Sequence, residues 1–225
     1  MRVLDLFSGL HGWAEPFMER GHHVVTTDID PAFRCTVSGD FLDPRVRDAL
    51  TAIGPFDLIL ASPPCEGFSV ASIGKAWKII DGERVPQTAT ARLGLALLDT
   101  TVAFCEAEGA PFVIENPRGM MRKMRAVQHL ERRTVTYCQY GQTNMKPTDL
   151  FGTAFAELGW EPRPPCKNGD PCHEAAPRGA KTGTQGIKGY AQRSKIPTLL
   201  ALDVCEAAER HHAGLQAEPL PGRLF

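Results

Sequence analysis

The feature that most constrains the fold is a repeated alternation of short apolar runs with longer amphipathic stretches. The segments RVLDLF (2–7), HVVTTD (23–28), FDLILA (56–61), PFVIEN (111–116) and RTVTYCQ (133–139) read as strands, with CTVSGD (35–40) a weaker one. Residues 11–20, 43–53 and 88–109 carry helix-compatible patterns between them, the last closing at Gly109. Strands this apolar are buried on both faces, so helices must cover both sides of the sheet. The expected class is α/β, a doubly wound and mostly parallel sheet. Such sheets bind ligands beyond the carboxyl ends of their strands.

Near residue 160 the pattern stops. Residues 161–197 are rich in Pro, Gly and basic residues and have no period, as in a ligand-facing insertion. A helix then resumes at Pro197. The expected organisation is a catalytic and cofactor-binding core at 1–155, a small basic insertion at 156–193, and a returning helix with a tail at 194–225. At 225 residues and 43% apolar composition, one domain is expected. No apolar run reaches the length of a membrane span. The first residues already read as a strand, leaving no room for a secretory signal. Seven cysteines without a regular framework suit reduced thiols in the cytoplasm. The net charge of −1 hides two basic stretches. Residues 163–195 hold seven Lys/Arg against Asp170 and Glu174, and 118–133 hold six against Glu131. Either is a solvated face or a phosphate-binding surface.

The strand ends carry the chemistry. After the first strand, Gly9 and Gly12 allow a tight turn close to a ligand. After the second, Asp28 suits ribose hydroxyls and Ile29 an adenine face, while Asp40 in SGDF suits an adenine amino group. The alternative for these acids is turn and helix capping. Without a second glycine cluster or a Walker lysine, an adenosine cofactor lacking a polyphosphate is favoured over ATP or NAD. In LILASPPCEGFS, Cys65 follows a buried strand and two stiffening prolines, so its thiol faces the ligand edge as a nucleophile or a structural cysteine. VIENPRG brings Glu115 and Asn116 to the same edge. A shielded carboxyl group there can stay protonated and bond a ring nitrogen, or it can pair with Arg118.

In order, DLFSGLHG, DID, GDF, PPC, ENP and YGQTNMKPT resemble the DNA cytosine-5 methyltransferase family over roughly residues 1–155, with a tail motif near RSKIP. The resemblance implies a Rossmann-like methyltransferase fold and S-adenosylmethionine as cofactor. It implies that Cys65 attacks cytosine C6 while Glu115 bonds N3, with Asn116 holding the site together. Phe7, Gly9, Gly12, Asp28, Ile29, Asp40, Phe41 and Pro64 fall on its cofactor-contacting positions, and Ser194 stands where the tail motif has Asn. Where the family carries two arginines, this chain has Gln142, Asn144 and Lys146, so Lys146 would meet cytosine O2 as a point charge. Glu66 follows the nucleophile where Gln is usual, and Pro117 follows Asn116 where an aliphatic residue is common.

The implied partner is double-stranded DNA with the target base flipped out, in a bacterial or phage-infected cytoplasm. No membrane and no obligate protein partner are expected. Phosphate-contact candidates are Ser69, Lys75, Arg118, Gln142, Lys181 and Lys188. The loop after Cys65 is expected to close over the base, and the short insertion implies a short recognition sequence. RNA cytosine methylation, an amino-group methyltransferase and a non-catalytic DNA binder are the rivals. In CKNGDPCH, Cys166, Cys172 and His173 offer three zinc ligands with no identified fourth, so a metal-free loop pair is the expectation.

Overall fold

The computed structural model describes residues 1–175 and 194–214. Seven strands form one sheet: β1 (Arg2–Leu6), β2 (His23–Asp28), β3 (Val37–Ser38), β4 (Leu58–Ala61), β7 (Phe112–Pro117), β8 (Glu131–Thr136) and β9 (Pro147–Gly152). Their order is β3-β2-β1-β4-β7-β9-β8. All pairings from β3 to β7 are parallel, and β9 alone runs antiparallel to both its neighbours. A separate hairpin, β5 (Trp77–Ile80) with β6 (Glu83–Pro86), stands outside this sheet.

Alternation along the central strands explains the layering. Leu4 and Leu6 of β1, Ile59 and Ala61 of β4, and Phe112 and Ile114 of β7 enter one apolar cluster. Val3, Leu58, Leu60 and Val113 point the other way into a second. Helices α2 (Pro44–Ile53) and α4 (Ala89–Glu108) contribute Leu50, Leu98 and Val102 to the first cluster. The second takes Trp13 and Phe17, at the start of and within α1 (Ala14–Glu19), and Leu200 and Val204 from α6 (Thr198–His212). Burying each such side chain stabilises by about 1.5–3 kcal/mol before entropy is counted. Leu60→Ala would remove one at a cost of roughly 2–5 kcal/mol.

Helix ends follow their local signals. Asp43 caps α2 through the Arg45 amide with Pro44 in the first turn, and Thr88 caps α4 through the Ala91 amide. Gly109 ends α4 in the left-handed conformation. Two short helices, α3 (Ile73–Ala76) and α5 (Ala154–Glu157), complete the set among the described residues.

Three departures from expectation stand out. The strand expected at 133–139 occupies Glu131–Thr136 and gives way to a 3-10 turn at Tyr137–Tyr140, closed by Gly141 at φ 84°. Strand β9 was not anticipated. At its end Gly152 has φ 153°, and a Cβ there would lie 1.9 Å from the Phe112 carbonyl oxygen, so only glycine allows this approach. The hairpin was also not anticipated, although its turn residues Asp81 and Gly82 both have positive φ, the signature of an Asp-Gly hairpin.

Candidate active site

The carboxyl ends of β1 and β4 are level, Leu6 opposite Ala61, and Ala61 lies opposite Ile114, beyond which β7 continues through Glu115 and Asn116 to Pro117. Cys65 therefore leaves the sheet beside the strand that carries Glu115 and Asn116. Asn116 fastens the two together, its side-chain amide donating to the Pro63 carbonyl at 3.0 Å. The cysteine loop is held on its other side as well. The Phe68 and Ser69 amides donate to the Cys65 carbonyl at 2.9 Å, Met120 N donates to Phe68 O at 2.8 Å, and the Trp77 indole donates to Gly67 O at 2.6 Å. Gly119 permits this contact, since a Cβ there would sit 2.2 Å from Phe68 O.

Glu115 is buried and accepts a 2.8 Å hydrogen bond from the Tyr137 hydroxyl. The Lys146 ammonium lies 4.2 Å above the centre of the Tyr137 ring. Both residues flank the β8–β9 connection, which the Tyr137 amide closes onto Met145 O at 2.8 Å. Sulfur, carboxyl and ammonium sense one another. Burial pushes the Cys65 thiol up to about 11, with Glu115 and Glu66 adding and Lys146 opposing. Burial likewise raises Glu115 against the pull of Lys146, Tyr137 and Ser62. Burial lowers Lys146, while the charges of Glu115 and Cys65 oppose that shift. The resting site thus favours a thiol and a readily protonated carboxyl group. Arg118, the alternative partner for Glu115, is exposed, and its backbone amide donates to Pro147 O.

The adenosine-side residues cluster at the ends of β1 and β2. Gly9 has φ 48° and donates its amide to an Asp28 carboxylate oxygen at 3.0 Å; the other oxygen accepts from Asp30 N. Ile29 beside it is 67% exposed, offering a free apolar face. Phe7 is half-buried, with φ 59°. Asp40 accepts from Leu42 N at 2.9 Å, and Pro64 is half-buried. Phe41 is buried edge-on against Phe7 and Phe104, so it backs Phe7 from the core. At Gly12 the close approach is to the Ile196 backbone, 2.9 Å from where a Cβ would be, so this glycine lets the 194–197 segment pack. Ser194 is exposed at the start of that segment. Buried Thr27 Oγ1, at the end of β2, lacks a hydrogen-bond partner among the described residues. An exposed apolar face beside a carboxylate, with a buried polar atom unsatisfied nearby, fits a nucleoside-type cofactor.

Of the phosphate-contact candidates, Lys75 is exposed, Ser69 and Gln142 are half-buried, and the Ser69 hydroxyl lies 3.2 Å from that of Ser72. Lys181 and Lys188 lie outside the described residues. The 118–133 stretch is less free than its charge suggests. Arg122 forms a two-pronged pair with buried Asp149 at 2.5 and 2.8 Å, and Arg133 pairs with Glu131 and Glu161. Sequence reasoning missed Tyr137, because nothing local to TYCQY announces a partner on β7. It also left a fourth zinc ligand unidentified. The sulfur of Cys138 completes a group with Cys166, Cys172 and His173 whose ligand atoms all lie within 4.8 Å of one another.

A mostly parallel seven-stranded sheet with a single reversed strand defines the fold class of S-adenosylmethionine-dependent methyltransferases. The family described as C-5 cytosine-specific DNA methylase matches residues 1–129, more than half the chain, and the chain belongs to it. The methyl donor of this family is S-adenosylmethionine. Among solved structures, the Entamoeba histolytica methyltransferase EhMeth is similar at 14% identity and TM-score 0.50, over 74% of this chain and 57% of that one. Schizosaccharomyces pombe Dnmt2 methyltransferase is similar at 15% identity and TM-score 0.45, over 68% of this chain and 48% of that one. A Spodoptera frugiperda DNMT2 mutant matches at 16% and 0.40, over 74% of this chain and 53% of that one. This chain spans about half the length of these structures. No curated protein matches it. Among the described residues, no helix is long and apolar enough to cross a membrane.

Proposed function

We propose that this protein methylates C5 of a flipped-out cytosine in double-stranded DNA through a covalent bond between Cys65 and C6. The observation that carries this reading is the convergence of Cys65, Glu115 and Lys146: Asn116 ties the cysteine loop to the strand of Glu115, Tyr137 joins Glu115 to Lys146, and the charges of Glu115 and Lys146 both act on the Cys65 thiol. A cytosine ring offers N3 and O2 on its pairing edge and C6 across the ring, open to attack from above the plane. The Glu115 carboxyl group donates its proton to N3, which draws electrons from C6. Cys65 gives its proton to solvent and forms the S–C6 bond, and the electron pair of the C5–C6 double bond moves to C5. Lys146 stabilises the thiolate and the charge that builds at O2. Bound beside Phe7, Asp28, Ile29 and Asp40, S-adenosylmethionine supplies an electrophilic methyl group. Loss of the C5 proton then restores the double bond, expels the Cys65 thiolate and leaves 5-methylcytosine, while N3 returns its proton to Glu115. Asn116 keeps the cysteine loop in place through its bond to Pro63.

The base must leave the stack because its ring face is covered in a duplex. Exposed Lys75 and Arg118, with Lys181 and Lys188, are the proposed phosphate contacts. Residues 156–193 are the proposed target reader. So short a reader suits a short recognition sequence, and methylation confined to long, fully specified sites would overturn that part. The experiment is covalent trapping with S-adenosylmethionine and a duplex containing 5-fluorocytosine. A sulfur-linked adduct that disappears in Cys65→Ala is expected. An adduct surviving that change, or none in any sequence context, would overturn the mechanism. Adduct formation on RNA but not on the duplex would reassign the substrate.

A further inference from the structure

Beyond the methyl-transfer site, we infer that Cys138, Cys166, Cys172 and His173 form a structural zinc site that clamps the loop at 161–175 to the catalytic sheet. The four residues come from two places. Cys138 lies in the 3-10 turn after β8, and the other three in the irregular segment beyond α5. The sulfurs of Cys138 and Cys166 are 3.2 Å apart, and those of Cys138 and Cys172 are 3.7 Å apart. His173 Nδ1 lies 3.5 Å from the Cys166 sulfur and 3.4 Å from the Cys172 sulfur. A tetrahedral zinc with Zn–S near 2.3 Å and Zn–N near 2.0–2.1 Å requires sulfur–sulfur edges of about 3.8 Å and sulfur–nitrogen edges of about 3.6 Å. The observed edges already approximate that tetrahedron. A disulfide would use two thiols and leave the third thiol and the imidazole without a reason to converge.

The surroundings suit thiolates. The Thr136 hydroxyl donates to the Cys166 sulfur at 3.4 Å, and the Gln139 amide donates to the Cys172 sulfur at 3.4 Å. Such outer donors orient ligands and spread their charge. The backbone is arranged in advance: Cys166 N donates to Thr136 Oγ1, Lys167 N and Asp170 N form a turn between the two loop cysteines, and Glu174 N donates to Thr143 O. Binding would release three thiol protons to solvent and leave the imidazole neutral, with Nδ1 on the metal and the proton on Nε2. Three sulfurs and one nitrogen close the coordination shell, so the ion is structural and has no open position for substrate.

Cys138 follows Tyr137, whose hydroxyl holds Glu115. The clamp therefore steadies the turn that presents that hydroxyl, and it anchors residue 175, where the basic segment 176–193 begins. The test is metal content and cobalt(II) exchange of the full chain purified under reducing conditions. About one zinc per chain is expected, and the cobalt form should show the intense visible bands and thiolate charge-transfer absorption of a tetrahedral sulfur-rich site. Cys138→Ser should lose most of the zinc, His173→Gln should keep cobalt with altered bands, and Cys35→Ser should match the unmodified protein. If Cys138→Ser does not fold, the cobalt spectra of the unmodified and His173→Gln proteins still decide. Overturning results are a protein that takes up neither metal, a cobalt spectrum without thiolate bands, or zinc retained in both ligand variants. None of these readouts depends on cytosine chemistry, so failure here is distinct from failure of the proposed reaction.

Discussion

Along β1, β2, β4 and β7, each candidate residue lies within its strand or a few positions past its end, whereas Tyr137 and Lys146 reach the same site from the turn between β8 and β9. The first group sits where parallel-sheet topology places ligand-facing residues in any chain of this class. The second depends on a reversed strand and on one hydrogen bond to Glu115. The proposed nucleophile and acid thus lie in the parallel half, and the residues that set their electrostatic surroundings at the antiparallel edge.

The largest test of this division is Glu115→Gln, which keeps the shape but cannot give a proton to N3. A fall in kcat of about 10²–10⁴-fold is expected, with cofactor affinity unchanged by calorimetry. Equal losses in both would mean that Glu115 merely supports the fold. Next is the antiparallel edge itself. Arg122→Ala leaves the Asp149 carboxylate, 1% exposed, with Thr134 as its remaining side-chain donor among the described residues. Breaking a buried pair this way costs about 3–5 kcal/mol, measurable by urea unfolding; a loss under about 1 kcal/mol would show that the pair is dispensable.

A third comparison uses pH on the parallel side. Burial pushes Asp5 up to about 7, with the Ser8 hydrogen bond opposing and the Asp28 charge adding. Between about pH 4 and 7 the folded chain keeps a proton that the unfolded chain has released. Stability therefore falls as pH rises through this window, by up to roughly 1.4 kcal/mol per unit from this group. Asp5→Asn should flatten that slope, and parallel stability curves for the two proteins would refute the assignment. The smallest expected effect is Tyr137→Phe, a roughly tenfold loss in kcat from one buried hydrogen bond. Because the lost hydroxyl pulls Glu115 downward, the variant should hold that proton to higher pH. Its alkaline limb should therefore move up; an unshifted profile would reduce Tyr137 to packing.

How far the sequence could be read follows the same line. The strands at 2–6, 23–28, 58–61 and 112–117 and the long helix at 89–108 announce themselves through continuous apolar runs and caps. That Cys65 and Glu115 share one edge of the sheet was legible because both follow the carboxyl side of neighbouring parallel strands. Strand β9 was not, since PTDLFG is short and its partners are set by tertiary pairing. Cys138 was equally hidden, because its ligand partners lie about thirty residues away and meet only once β8 turns. The core role of the Phe41 ring was hidden too, because its contact with Phe104 forms only when α4 packs on the sheet. The hairpin had a usable Asp81-Gly82 signal that was passed over.

The contact of Gly12 with Ile196 has a consequence for how the molecule is made. The apolar side of α1, emerging early from the ribosome, finds its covering helix only after Leu200 and Val204 appear, and Lys195 reaches Glu15 across 180 positions of chain. Until then Trp13 and Phe17 have no lasting shelter on that side, so nascent intermediates should present a sticky surface to chaperones. A fragment ending at residue 129 would keep that surface permanently.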